Sequence, residues 1–229
     1  MRNLFVAQQS EEKKADDKER PDDPNKDRHV ECFKTRTLNF TRRIKSELHL
    51  EESLPWHFEP GAAYHCFSFG DVDALTYLRA IIKQQRVEYA MLSTWSMART
   101  DVEEIKKWME RGDLGRADFY VGELFQGSYA DIYLQLSDLV RVMGGGGRVA
   151  IFRNHSKVIA GFGERFDFAV EMSANINTNP RSECAVVTID SALARFYKEE
   201  IFDKIQAFNR DFDDWKPYKL KRDENNAVI

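Results

Sequence analysis

Cysteine is scarce in this chain of 229 residues: there are three, Cys32, Cys66 and Cys184, and no two stand at CxxC spacing. An odd set without that spacing argues against a disulfide framework or a structural zinc site and fits a reducing compartment. Long apolar runs are lacking too. None nears the ~20 residues that cross a bilayer, and the opening MRNLFVAQQSEEKK has too short an apolar stretch for a secretory signal. A soluble cytoplasmic protein is the expectation. Excess positive charge is also missing, since the net charge is −4 and the pI is near 5.8. No global basic field draws nucleic acid to such a chain, which leaves that role to a local groove. There is no internal repeat and no convincing metal-ligand cluster, so neither a cofactor nor a metal is expected.

What is present sorts into four stretches: a charged tract over 1–31, a lead-in over 32–60, an α/β domain over 61–209 and a polar end over 210–229. The first contains SEEKKADDKERPDDPNKDRH and almost nothing apolar. It cannot bury enough surface to offset its ordering entropy and reads as a disordered tail. The lead-in mixes Lys34, Arg36, Arg42, Arg43 and Lys45 with apolar residues and reads as a helix or ordered segment with a solvated basic face. The polar end is expected to fray.

Within the domain, apolar runs and helical periodicities alternate. Strands are predicted over 64–69, 87–93, 119–121 and 149–152, with helices over 71–85, 100–112 and 129–143 between them. Asp71 is the expected N-cap of the first helix, and Thr100 or Asp101 that of the second. Short strands follow over 158–161, 166–171 and 184–189, then an amphipathic helix from Asp190 or Ser191 to about 208. The pattern predicts one copy of an α/β domain with a mixed, mostly parallel sheet flanked by helices. Ligands of such sheets gather at the carboxyl ends of strands. The stretches STWSMAR over 93–99, GELFQGS over 122–128 and RNHSK over 153–157 qualify.

The richest stretch is 144–183. A glycine run opens into an apolar strand that delivers His155 and Lys157, and a second strand ends in Ser173 and Asn175, with Glu183 opening a third. Residues two apart in extended chain share a face, so each pair points together. An imidazole, an ammonium, a hydroxyl and an amide suit a phosphate ester. The glycine run, followed by a strand, is a helix stop and turn; a phosphate-cradling loop would open a helix. Around these residues, Arg153 and Arg181 can add positive charge for phosphate, Trp95 can stack on a base or pack beneath its loop, and Glu123 can wall the pocket. His65 reads as a half-buried core residue.

His155 and Lys157, then Ser173 and Asn175, then Glu183 resemble the signature of the phospholipase D superfamily, in particular its phage and bacterial nuclease-like members with a single His-x-Lys motif. Two positions depart from it. The Asp that follows the Lys is absent, with Phe162 in its place and Glu164 or Asp167 as distant substitutes, and the Gly before Ser173 is Met172. The resemblance spans roughly 60–208 and implies a metal-independent phosphodiesterase with a phosphohistidine intermediate on His155. It implies further that Lys157 and Asn175 hold non-bridging oxygens and that Glu183 orients a histidine. Single-motif members build one site from two copies, so a homodimer with His155 of each copy near the two-fold axis is expected. Nucleic acid is the implied substrate. A non-catalytic phosphate-binding scaffold and a lipid phosphodiesterase are the alternatives.

Overall fold

A run such as VEYAMLST, apolar on nearly every residue, belongs in a strand covered on both faces. In the structure, a computed structural model that describes residues 30–35, 42–46, 54–69, 72–143, 145–177 and 181–221, that run is β4 (Val87–Thr94), an interior strand buried along almost its whole length. The elements in order are β1 (Val30–Thr35), β2 (Arg42–Ser46), β3 (Ala63–Ser68), α1 (Ala74–Ile82), β4, α2 (Arg99–Arg111), β5 (Leu114–Val121), α3 (Ala130–Val142), β6 (Val149–Ile151), β7 (Val158–Gly163), β8 (Asp167–Met172), β9 (Glu183–Thr188) and α4 (Ser191–Arg195). The strands form one sheet in the order β2-β1-β3-β9-β8-β7-β4-β5-β6.

The sheet is mixed and flanked by helices, as the alternation of elements predicts, but it is not mostly parallel. Only the β4–β5 and β5–β6 pairings are parallel; the other six are antiparallel. The reason is connection length. Parallel neighbours need a crossover element, which α2 and α3 supply, whereas β7 and β8 are joined by a tight turn that allows only antiparallel pairing. The lead-in differs as well. Its residues 32–35 belong to β1 and 42–46 form β2, and the two strands pair antiparallel in series onto β3. An open edge of unpaired N–H and C=O groups on β3 is a template for strand addition, and that long-range demand outweighs local helix propensity.

Two apolar layers sandwich the sheet. On one face α1, α2 and α3 pack Leu75, Leu78, Ile105, Trp108, Leu136 and Val140 against Leu92, Phe119, Val121 and Ile159. On the other, Tyr89, Met91, Tyr120, Ala160 and Phe162 meet Ala194, Phe202 and Leu220. Asp73, not Asp71, caps α1 by accepting from the Thr76 amide at 2.9 Å; Asp71 lies outside the described residues. Helix α2 has its N-cap at Ala98, two residues before Thr100, and stops at Gly112 in the left-handed region, φ 79°. The glycine run turns the chain through Gly145 (φ 56°) and Gly146 (φ 92°), and a Cβ on Gly147 would sit 2.5 Å from the Ala117 carbonyl oxygen. Only glycine fits that turn.

The last helix is shorter than its amphipathic pattern predicts. After Arg195 it widens into a π-helical turn (Phe196–Ile201) and ends in a 3-10 turn (Phe202–Lys204). The wider turn places Lys198 in the interior, 2.6 Å from Asp203, so the helix register yields to a buried ion pair. Nor does the chain beyond 210 fray before Lys221. Phe212, Trp215 and Tyr218 pack inward and Leu220 is buried.

This strap lies over a cluster of buried polar groups centred on Asp118 of β5. Its carboxylate accepts from Tyr89 Oη at 2.8 Å, Trp215 Nε1 at 3.1 Å, the Arg148 amide at 3.0 Å and Arg116 Nε at 3.4 Å. The Arg148 guanidinium lies 3.6 Å over the Trp215 ring and donates to the Phe202 carbonyl at 2.7 Å. Burial pushes the Asp118 carboxyl up, against the pull of Arg116 and its donors. Among the described residues no helix is long and apolar enough to cross a membrane.

Candidate functional site

Antiparallel register decides which loops meet. Val158 pairs with Ser93 on one side and Glu171 on the other, and Met172 pairs with Ala185. The start of β7, the end of β8, the start of β9 and the end of β4 therefore share one edge of the sheet. The Met172 amide donates to the Lys157 carbonyl at 3.1 Å, and the Ser173 amide to the Cys184 carbonyl at 2.9 Å, which extends the ladder past the strand ends. His155, Lys157, Ser173, Asn175 and Glu183 all stand along this edge.

His155 is exposed and Lys157 partly so. The Lys157 ammonium donates to the His155 carbonyl at 2.6 Å and lies 3.1 Å from Nδ1 and 3.4 Å from Nε2 of the same residue. It folds back over the imidazole. Burial holds its pKa below the usual lysine value, while the Glu183 charge opposes that shift. Glu183 is buried at the head of β9 and accepts from Ser173 Oγ. That hydroxyl in turn accepts from the Cys184 amide at 3.0 Å. Asn175 Oδ1 accepts from the Trp95 amide at 3.3 Å and Thr94 Oγ1 at 3.4 Å, while its amide nitrogen has no protein partner among the described residues.

The surrounding residues divide. Trp95, 39% exposed, stands with its ring 5.4 Å from that of His155 at 53°. It is seated on Gly122, where a Cβ would come within 2.9 Å of the indole. Trp95 is thus beside the histidine, with its ring partly exposed. Glu123 and Arg153 pair with each other at 3.5 Å, Nε to Oε1, with side chains 54% and 85% exposed. Each then offers a ligand less charge than it would alone. Arg181 is exposed two residues before Glu183. His65 is exposed on β3 and is not a half-buried core residue. Glu164 and Asp167 stand at the far ends of β7 and β8, the full length of a strand from His155, and Phe162 is buried in the apolar layer. None of the three stands in for the missing Asp.

Sequence reading passed over the groups that bind these loops together. Asn154 Nδ2 lies 2.8 Å from the Tyr120 carbonyl, 3.0 Å from Ser93 Oγ and 3.3 Å from the Thr94 carbonyl. Its Oδ1 accepts from the Ser156 amide at 2.8 Å and Ser156 Oγ at 2.7 Å. Ser96 Oγ donates to Asn177 Oδ1 at 2.6 Å, joining the β4 loop to the one after β8. The one signal for them was the density of small polar residues in STWS and RNHS, directly after apolar strands. Among the described residues no group of three His, Cys, Asp or Glu side chains is placed to hold a metal ion.

No protein-family model and no curated protein matches this chain. Two of the solved structures that are similar to part of it illustrate the likeness. One is the phosphatidylserine synthase of Haemophilus influenzae Rd KW20, at 15% identity and a TM-score of 0.45 over 61% of this chain and 38% of that one. The other is the polyphosphate kinase of Porphyromonas gingivalis, at 14% identity and a TM-score of 0.40 over 76% of this chain and 29% of that one. The chain spans well under half the length of either.

Proposed function

We propose that this protein is a phosphodiesterase with His155 as its nucleophile, acting on nucleic-acid phosphodiesters. The observation that carries the reading is the shared sheet edge, where register brings the His155–Lys157 loop beside Ser173, Asn175 and Glu183. An imidazole nitrogen attacks phosphorus, forming a P–N bond as the P–O bond to the leaving group breaks. A second acid protonates the leaving oxygen, then takes a proton from the water that attacks the phosphohistidine and restores the imidazole. Lys157 and the side-chain nitrogen of Asn175 stabilise charge on the non-bridging oxygens. Ser173, held by Glu183, offers a further polar contact. These steps call on no metal.

One histidine cannot serve as nucleophile and acid at once. The second acid in this reading is His155 of a second copy, in a homodimer whose two-fold axis runs through the site. The exposed Trp95 ring favours nucleic acid over lipid, because a base stacks on an aromatic face irrespective of sequence.

The test is a panel of bis(p-nitrophenyl) phosphate, a single-stranded oligonucleotide and phospholipid vesicles, run with chelator present. Wild type should cleave the first two, and His155→Ala should lose at least ~10³-fold in kcat with its fold intact. Unchanged activity in that variant sinks the nucleophile. Salt-sensitive oligonucleotide binding without turnover would point to the scaffold reading, and a monomer with full activity would remove the dimer.

A further inference from the structure

We infer that Asn154 is the positioning residue of this site: it clamps the His155 loop to the ends of β4 and β5 and so sets where the imidazole stands. The inference rests on the reading of His155 as the nucleophile. His155 itself is exposed, and the contacts described for its ring are with Lys157 and Trp95. Its position must come from the backbone on either side. On one side stands Asn154, 7% exposed, and on the other Ser156, whose amide and hydroxyl both bond to Asn154.

A side-chain amide has two N–H donors and two acceptor sites on its oxygen. Here all four are engaged. The donors face the Tyr120 carbonyl at the end of β5, with Ser93 Oγ and the Thr94 carbonyl at the end of β4 in reach of the other N–H. The acceptor holds Ser156, and Ser156 Oγ closes the ring onto Ser93 Oγ at 2.7 Å. The Asn154 amide also donates to the Phe152 carbonyl at 2.7 Å, so the chain turns sharply as it leaves β6. His155 is carried on the crest of that turn with both neighbours fixed.

Chemistry explains why the residue is asparagine. Aspartate is the same size but has no donor, and its carboxylate would face two carbonyl oxygens in a buried place. Serine is too short to span from the loop to β5. Because the Thr94 carbonyl is one of the clamped groups, the same side chain also ties the His155 loop to the turn that presents Trp95. Such positioning matters because in-line attack tolerates little displacement; an error of about 1 Å can cost ~10²-fold in rate.

The experiment compares full-chain wild type, Asn154→Asp and the milder Ser156→Ala, measuring folded fraction by circular dichroism, kcat and KM on bis(p-nitrophenyl) phosphate, and the His155 ring-proton resonance, identified by its loss in His155→Ala. Per folded molecule, Asn154→Asp should lower kcat about 100-fold and Ser156→Ala about 10-fold, with KM within about threefold of wild type. The His155 resonance should shift or broaden in both. A merely structural role would reduce the folded fraction and leave kcat per folded molecule alone; kcat within twofold of wild type in both variants overturns the inference. If wild type cleaves no phosphodiester, the nucleophile reading fails, and the resonance alone decides the clamp: a line identical in all three proteins overturns it, and a displaced one upholds it.

Discussion

Two polar clusters stand on the same sheet and treat their polar groups in opposite ways. Around Asp118, charged and hydroxyl groups are buried and, Arg148 Nε excepted, satisfy one another among the described residues: the carboxylate alone has four donors, and the strap that carries Trp215 closes over it. At the His155 edge the imidazole is exposed, the Asn175 side-chain nitrogen has no protein partner among the described residues, and the Lys157 ammonium leans on the ring and carbonyl of His155. Buried polar networks stabilise only when complete, because an unpaired group in low dielectric costs more than a bond gains. A ligand site needs the reverse, with groups that water satisfies until a ligand displaces it. The inner layer of the edge, Asn154 with Ser93 and Ser156, follows the Asp118 rule, and the outer layer does not.

The comparison is broken most sharply by a pair of alanine variants. His155→Ala should abolish turnover and leave thermal stability unchanged, since an exposed ring contributes little packing. Asp118→Ala should do the opposite. It leaves Arg116 without its ion-pair partner and Tyr89 Oη, Trp215 Nε1 and the Arg148 amide without their acceptor, and loss of one partner of a buried pair costs about 3–5 kcal/mol. Urea denaturation reads that loss, and kcat per folded molecule should match wild type. If Asp118→Ala proves as stable as wild type, the cluster is not the clamp its geometry describes. If it loses kcat while folded, the two clusters are coupled and the contrast fails.

A smaller effect sharpens the division within the edge itself. Trp95→Ala removes the exposed ring but none of the Asn154 bonds, and one stacked base is worth about 1–3 kcal/mol. KM for a single-stranded oligonucleotide should rise about tenfold or more, while kcat on bis(p-nitrophenyl) phosphate stays within about threefold. Equal losses on both substrates would mean that the indole shapes the site and binds no base.

These contrasts also explain what could be read in advance. The β4–α2–β5–α3–β6 run was legible because its signals are local: period-2 and period-3.6 patterns, and glycines at the stops. His155 and Lys157 are legible as a pair for the same reason, being two residues apart on an extended chain. The clamp is different. Asn154 bonds to groups 34, 60 and 61 residues away, and nothing in the run RNHSK separates it from an ordinary loop asparagine. Strands β1 and β2 were hidden likewise, because only the open edge of β3 selects them. The Lys198–Asp203 pair changed a helix register that amphipathic spacing alone would continue.

Asp101 supplies the finest discrimination, as a buried carboxylate without the Asp118 arrangement. It accepts one backbone bond, from the Ala98 amide at 2.7 Å, and sits in the first turn of α2. Burial pushes its pKa from 3.8 up to about 6; the Ala98 bond resists, and the charges of Asp73 and Glu104 add to the rise. The folded state therefore binds more protons than the unfolded one between those two values, and stability falls as pH rises through that window. Above about 6 the penalty is complete. Asp101→Asn keeps an acceptor for Ala98 but cannot ionise. Its stability advantage over wild type should be absent near pH 4 and grow to the order of 1 kcal/mol by neutral pH, after allowance for solvent screening. Urea midpoints at three pH values measure the slope. A wild type that instead gains stability over the variant as pH rises would mean that the favourable field at the helix N-terminus outweighs desolvation, and that one backbone donor is enough to keep a buried carboxylate charged.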